Sequence, residues 1–167
     1  DSLLEVGVIP VGIETYANSR RLEKCFRLQG ADLETEYNAI EAAIQRPLVK
    51  EADFHGKFAH MAHRKEDPCA ILCTMFLDDL NVSGKTRYPV GISPIIDPAT
   101  GEVPIDSKGR RSYTTGMSYC PSIKKFVVMG YLPKQIAFKG KSLLIEYFNE
   151  EGDGLYPMTV QIVGKGS

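Results

Sequence analysis

Two hydrophobic rhythms divide the chain near residue 67. In "EYNAIEAAIQR", Ile40, Ala43 and Ile44 fall at helical spacing, and Pro47 ends the run. "DFHGKFAHMAHRKE" predicts a turn at Gly56 and then a helix with Phe58, Met61 and Ala62 turned inward; Pro68 stops it. Beyond this point the apolar runs shorten to strand length. "CAILCTMFL" is continuous, "YPVGISPII" leads into the turn "DPATGE", and "VPID" returns before "SKGR". "RSYTTGMSY", "FVVMGYL", "SLLIEYF" and "LYPMTVQIV" follow, the last two separated by the polar "NEEGDG". Short strands punctuated by Gly, Pro and Asp predict an antiparallel barrel or sandwich. Met158, Val160 and Ile162 alternate with Thr159 and Gln161, as in a strand with one wet face.

Composition narrows the class without naming a chemistry. The 167 residues are 43% hydrophobic and 25% charged, which is ordinary for a folded protein. Lys plus Arg number 20 against 21 Asp plus Glu, a balance that argues against a nucleic-acid partner. No apolar run approaches the ~18 residues of a membrane span, and no leader pattern opens the chain, so a cytoplasmic protein with no membrane partner is expected. Cys25, Cys69, Cys73 and Cys120 have neither zinc-site nor disulfide-framework spacing and are expected to be reduced, mostly buried thiols. His60 and His63 sit three apart on the expected helix with no third ligand nearby, so a solvated face and no metal are expected. Phosphate-cradling loops, nucleophile elbows and dinucleotide fingerprints are absent.

One stretch stands out chemically. "YANSRRLEKCFRLQGADLETEYN" packs Arg20, Arg21, Glu23, Lys24 and Arg27 around Leu22, Cys25, Phe26 and Leu28 before Gly30 breaks it. Arg21, Leu22, Glu23, Gly30, Asp32, Thr35, Glu41 and Ala42 match a pattern R-L-E, G-x-D, T-x-x-x-E-A. "DFHGKFA" and "TTGMSYCPSIKKFVVMGYLP" follow in the order of two further motifs, with Phe54, Gly56, Lys57, Thr115, Gly116, Pro121, Lys125, Gly130, Tyr131 and Pro133 in register. Together these resemble the glycine-cleavage T-protein superfamily, the tetrahydrofolate-dependent aminomethyltransferases and demethylases. The lysine after "RLE" looks more like the dimethylglycine and sarcosine oxidoreductase branch.

The resemblance implies a specific organisation. Residues 1–66 would be the α+β end of the folate-binding domain, and residues 67–167 an all-β antiparallel Greek-key barrel. "DSLLEVGVIPVG" looks like the end of a helix late in the family's second domain, which implies the C-terminal portion of a longer enzyme. The catalytic aspartate and pterin-gripping glutamate of the family lie in the missing N-terminal domains, so this chain carries no catalytic residue and is expected to be inactive alone. The implied cofactor is tetrahydrofolate, and the implied substrate is a small methyl or aminomethyl donor. Tyr16, Arg20, Arg21, Glu23 and Phe26 are the candidate cofactor-binding residues, because folate offers a ring for stacking and carboxylates for cations. Tyr113, Tyr119 and Lys124 are candidates to reach its tail. The bland alternative pairs Arg21 with Glu23 structurally and packs Phe26 against Leu22. A barrel that only docks beside an oxidoreductase is the other function class, and a flavin domain ahead of it would mark dimethylglycine or sarcosine chemistry.

Overall fold

The computed structural model describes residues 2–78, 92–149 and 152–164. Among the described residues there are six antiparallel strands: β1 (Ala70–Leu77), β2 (Ile95–Ile96), β3 (Thr114–Cys120), β4 (Lys125–Pro133), β5 (Ser142–Asn149) and β6 (Gly152–Val163). They form one curled sheet in the order β2-β5-β6-β1-β4-β3. Its two ends are bridged: the amides of Ile92 and Ile95 donate to the carbonyls of Thr114 and Ser112, while Glu146 donates to Pro94. The expected strands are therefore largely met, with β6 starting three residues before "LYPMTVQIV". The first part of "YPVGISPII" and the middle of "NEEGDG" lie outside the described residues.

The continuous apolar runs are explained by burial on both strand faces. Along β1, Cys73, Met75 and Leu77 point into the core enclosed by the sheet, with Phe126, Val128 and Leu132 of β4. Ala70 and Leu72 point the other way, with Val127, Met129 and Tyr131, into a second core. That second core is completed by Leu22, Tyr37 and Ala42 from the lead segment. It crosses the boundary between residues 66 and 67, so residues 21–43 are packed onto the sheet. In β6, Met158 and Val160 are buried. A bulge opposite Thr74 and Met75 then shifts the register, so the simple alternation stops at Gln161.

The lead segment is mostly turns. Residues 38–44 make one helical turn and no helix, closed at both ends by local bonds. The Asn38 carboxamide oxygen accepts from the Ile40 and Glu41 amides, and the Glu41 carboxylate accepts from the Asn38 amide. At the far end Ala43 is left-handed (φ 53°), and Ile44 and Ala43 donate to the carbonyls of Ala39 and Ile40. The helical spacing of Ile40, Ala43 and Ile44 was thus real but one turn long.

The helix predicted after Gly56 is present. Three short α-helices occur among the described residues: α1 (Ser2–Glu5), α2 (Arg21–Glu23) and α3 (Lys57–His63). Its expected inner face is not buried, however. Phe58 is 90% exposed and Met61 is half-exposed, because among the described residues no sheet face packs against α3.

Candidate functional site

The stretch that drew attention in the sequence folds as a single π-helical turn, Thr15–Arg20, running directly into α2. The geometry separates its two arginines. Arg21 is 8% exposed and turns into the protein: its Nη1 contacts Asp32 Oδ2 at 2.5 Å, and its Nε donates to the Ala17 carbonyl at 2.6 Å. Asp32 is fully buried. Its carboxylate also accepts from the Leu28 amide and the Thr115 hydroxyl, and its carbonyl accepts from the Tyr131 hydroxyl. Thr115 reaches Asp32 because it is the extra residue of a bulge in β3. The next residue must be glycine-sized, since a Cβ on Gly116 would lie 2.5 Å from Arg21 Nη2.

Arg20 turns outward. Its side chain is 62% exposed and donates to Glu23 and to Ser122 Oγ, both at 2.9 Å. Glu23 therefore pairs with Arg20, whereas the sequence had suggested Arg21. The Ser122 amide also donates to Glu23, and this bond together with Arg20 holds the Glu23 carboxyl below its ordinary value. These contacts tie the end of the π-turn to the β3–β4 loop, where Lys124 adopts φ 53°. Tyr16 and Phe26 lie on the surface, 79% and 65% exposed, so Phe26 does not pack into the core with Leu22. Tyr119 is partly exposed against Phe126, and Tyr113 is half-buried.

A second polar cluster lies where the lead segment meets the loop before β3. Arg110 Nη2 contacts Glu41 Oε1 at 2.5 Å and its Nε contacts Asp106 Oδ2 at 2.7 Å. Its guanidinium lies 4.3 Å over the Tyr37 ring, which stacks on Tyr131 at 3.5 Å. Burial alone would raise the Glu41 and Asp106 carboxyls; hydrogen bonds from Arg110 and from backbone amides outweigh it and leave both below their ordinary values.

A further arginine ties two loops of the lead segment to the end of β6. Arg27 donates to the carbonyls of Cys25, Ala42 and Gly164. Cys25, like Ala43, is left-handed (φ 53°), so Arg27 binds beside both non-glycine caps.

The mitochondrial dimethylglycine dehydrogenase of Mus musculus is 32% identical over 152 residues, covering 87% of this chain and 15% of that protein. Aminomethyltransferase from Francisella tularensis is 28% identical over 154 residues, covering 87% of this chain and 38% of that protein. The chain is a homologue of part of both. It thus spans well under half the length of the curated relatives it matches. Among solved structures, the glycine cleavage system aminomethyltransferase T from Bartonella henselae shares the fold with a TM-score of 0.66 at 22% identity, over 87% of this chain and 36% of that one. No protein-family model matches.

The sequence motif that carries the resemblance and the buried clusters coincide. Arg21, Asp32 and Glu41 of the "RLE…GAD…EA" pattern are the groups that join the lead segment to the sheet. Their partners Thr115 and Arg110 carried no assigned role in the sequence. The one available signal was a carboxylate, Glu41, inside the otherwise apolar "AIEAA", which requires a cation from elsewhere once buried. Among the described residues no three His, Cys, Asp or Glu side chains gather as a metal site, and no helix is long and apolar enough to cross a membrane. Cys25, Cys73 and Cys120 are buried free thiols, and Cys69 is partly buried. Burial pushes the Cys120 thiol up to about 11.

Proposed function

We propose that this chain is the C-terminal portion of a tetrahydrofolate-dependent aminomethyltransferase, transferring a one-carbon unit from a methylamine-type donor to folate. The observation that carries this reading is the homology, over 87% of the chain, to aminomethyltransferase and dimethylglycine dehydrogenase together. The lead segment is then the end of the folate-binding domain and the curled sheet a Greek-key barrel. The chemistry of the π-turn suits the cofactor. Tyr16 and Phe26 offer exposed rings for its aromatic linker, and Arg20 offers an exposed guanidinium for a carboxylate. Arg21 and Glu23 already serve partners within the chain, so in this reading they position Arg20 and the π-turn. Tetrahydrofolate supplies the accepting nitrogen; this chain supplies orientation and charge, and the catalytic carboxylates belong to other domains.

The test uses the longer protein. Arg20→Ala should weaken tetrahydrofolate binding roughly ten- to a hundredfold, the equivalent of about 1.5–3 kcal/mol for a charge-assisted contact, with Tm nearly unchanged. Unchanged affinity would remove Arg20 from the site. The isolated chain should show no transferase activity, and sub-micromolar tetrahydrofolate binding by it would place the whole site within these residues.

A further inference from the structure

We infer that Ser122 is a positioning residue for Arg20: the β3–β4 turn grips the guanidinium by one nitrogen and leaves its other edge to take a carboxylate through two parallel bonds. The inference rests on the proposed folate site, in which Arg20 is the exposed cation, and adds the part that orients it.

The π-turn is fastened to alternate positions along β3 and the turn after it. Ser19 Oγ lies 3.1 Å from Ser118 Oγ, Cys120 Sγ donates to the Ser19 carbonyl at 3.4 Å, and Ser122 Oγ accepts from Arg20 Nη1 at 2.9 Å. The turn that presents Ser122 is itself braced. The Ile123 amide donates to the Cys120 carbonyl, and the Ser122 amide donates to Glu23 Oε1 at 3.0 Å. Glu23 closes the ring, because its Oε2 accepts from the same Arg20 nitrogen at 2.9 Å. Its side chain is only 6% exposed, which gives the ring a fixed side.

Nη1 of a guanidinium carries two hydrogens, both in the plane of the group. Two acceptors on Nη1 therefore use both hydrogens and set that plane, whereas one acceptor alone leaves the group free to swing about its bond. The donors left over are Nε and Nη2, the edge whose parallel N–H bonds match the two oxygens of a carboxylate. Among the described residues neither atom makes a hydrogen bond, and the side chain is 62% exposed. Arg21 is the opposite case, with Nε and Nη1 spent on Ala17 and Asp32 inside the protein. A serine hydroxyl is also neutral, so it orients Arg20 without offsetting the charge further. Holding the side chain before the ligand arrives spares part of the ordering that binding otherwise demands.

The Arg20 Nε–H signal of the 167-residue chain, followed by NMR relaxation, should be well ordered, lose order in Ser122→Ala and regain it in Ser122→Thr. In the longer protein, Ser122→Ala should weaken tetrahydrofolate binding roughly three- to tenfold, less than Arg20→Ala because Glu23 still holds the guanidinium. Ser122→Thr should restore the affinity. In an Arg20→Ala background Ser122→Ala should cost nothing further, whereas a merely structural role would add its own loss. Failure of the folate reading shows separately, as unchanged affinity in Arg20→Ala. Failure of this inference shows as an Arg20 signal equally ordered in Ser122→Ala, or as a loss from Ser122→Ala that persists without Arg20. Either result overturns it.

Discussion

Arg21 and Asp32 meet through a 2.5 Å ion pair in which one partner is 8% exposed and the other fully buried. Such a pair contributes little net stability relative to an apolar substitute, but each half depends on the other. Arg21→Ala should therefore cost about 3–5 kcal/mol, because the buried Asp32 loses its counter-ion and keeps only the Leu28 amide and the Thr115 hydroxyl, and lower Tm by roughly 6–20 °C. Thermal unfolding of Arg21→Ala beside Arg20→Ala checks it. Equal and small effects of the two would show that the buried pair is dispensable.

Gly116 and Gly130 should differ in how they fail. A Cβ on Gly130 would meet the Tyr113 carbonyl at 2.7 Å and Ile95 Cδ1 at 2.9 Å, where the sheet ends come together. Gly130→Ala should thus destabilise by about 1–3 kcal/mol whatever the background. Gly116→Ala collides with Arg21 alone, so its cost should largely vanish in an Arg21→Ala background. A double-mutant cycle measures this directly, and additive costs at Gly116 would refute the stated cause.

The pH dependence has two limbs of opposite sign. The Glu41 and Asp106 carboxyls are depressed in the folded state, so their stabilisation is complete above the ordinary carboxylate values of about 4. It should be lost as pH falls below that range, and Glu41→Gln should shrink the loss. Tyr37 and Tyr131 are raised, by burial first and then by neighbouring groups, so stability should also fall as pH rises above about 10, where only unfolded tyrosines ionise. Chemical denaturation across pH 2–12 reads both limbs. A flat acid limb would mean that the Arg110 cluster is not formed in solution.

Hydrogen exchange should resolve three tiers. Amides of β1, β4 and β6 should be slowest, being bonded on both sides. Residues 21–43 should be intermediate, held by the second core and the arginine contacts. Residues 3–16 should exchange fastest, because Leu3, Val6, Ile9, Val11 and Ile13 are all more than 65% exposed. Uniform protection of 3–16 and the sheet would contradict this arrangement.

What could be read in the sequence depended on the range of the interaction. The strands were legible because burial acts residue by residue: "AILCTMFL" announced a strand with two covered faces, although not what covered the second one. The turn at 38–44 was not legible as a turn, since Asn38 and Glu41 cap it through bonds that spacing alone does not reveal. Phe58 misled because a helical apolar face predicts burial only if a partner surface is present. The arginine roles were illegible for a different reason. Arg20 and Arg21 are adjacent and chemically identical, and only the 100° step of the chain between them sends one to solvent and the other to an aspartate eleven positions on.

The bridge between residues 92–95 and the start of β3 bears on how the chain behaves at high concentration. A sheet usually exposes an edge that can recruit another chain's strand. Here both terminal strands in the order are joined through that bridge, and the Cys120 end of β3 lies against Ser19 of the π-turn. The exposed apolar side chains of residues 3–16 remain sticky, but they offer contact without a backbone template. Crowded samples should accordingly cluster through side chains and disperse on dilution, without the ~4.7 Å fibre reflection of stacked strands.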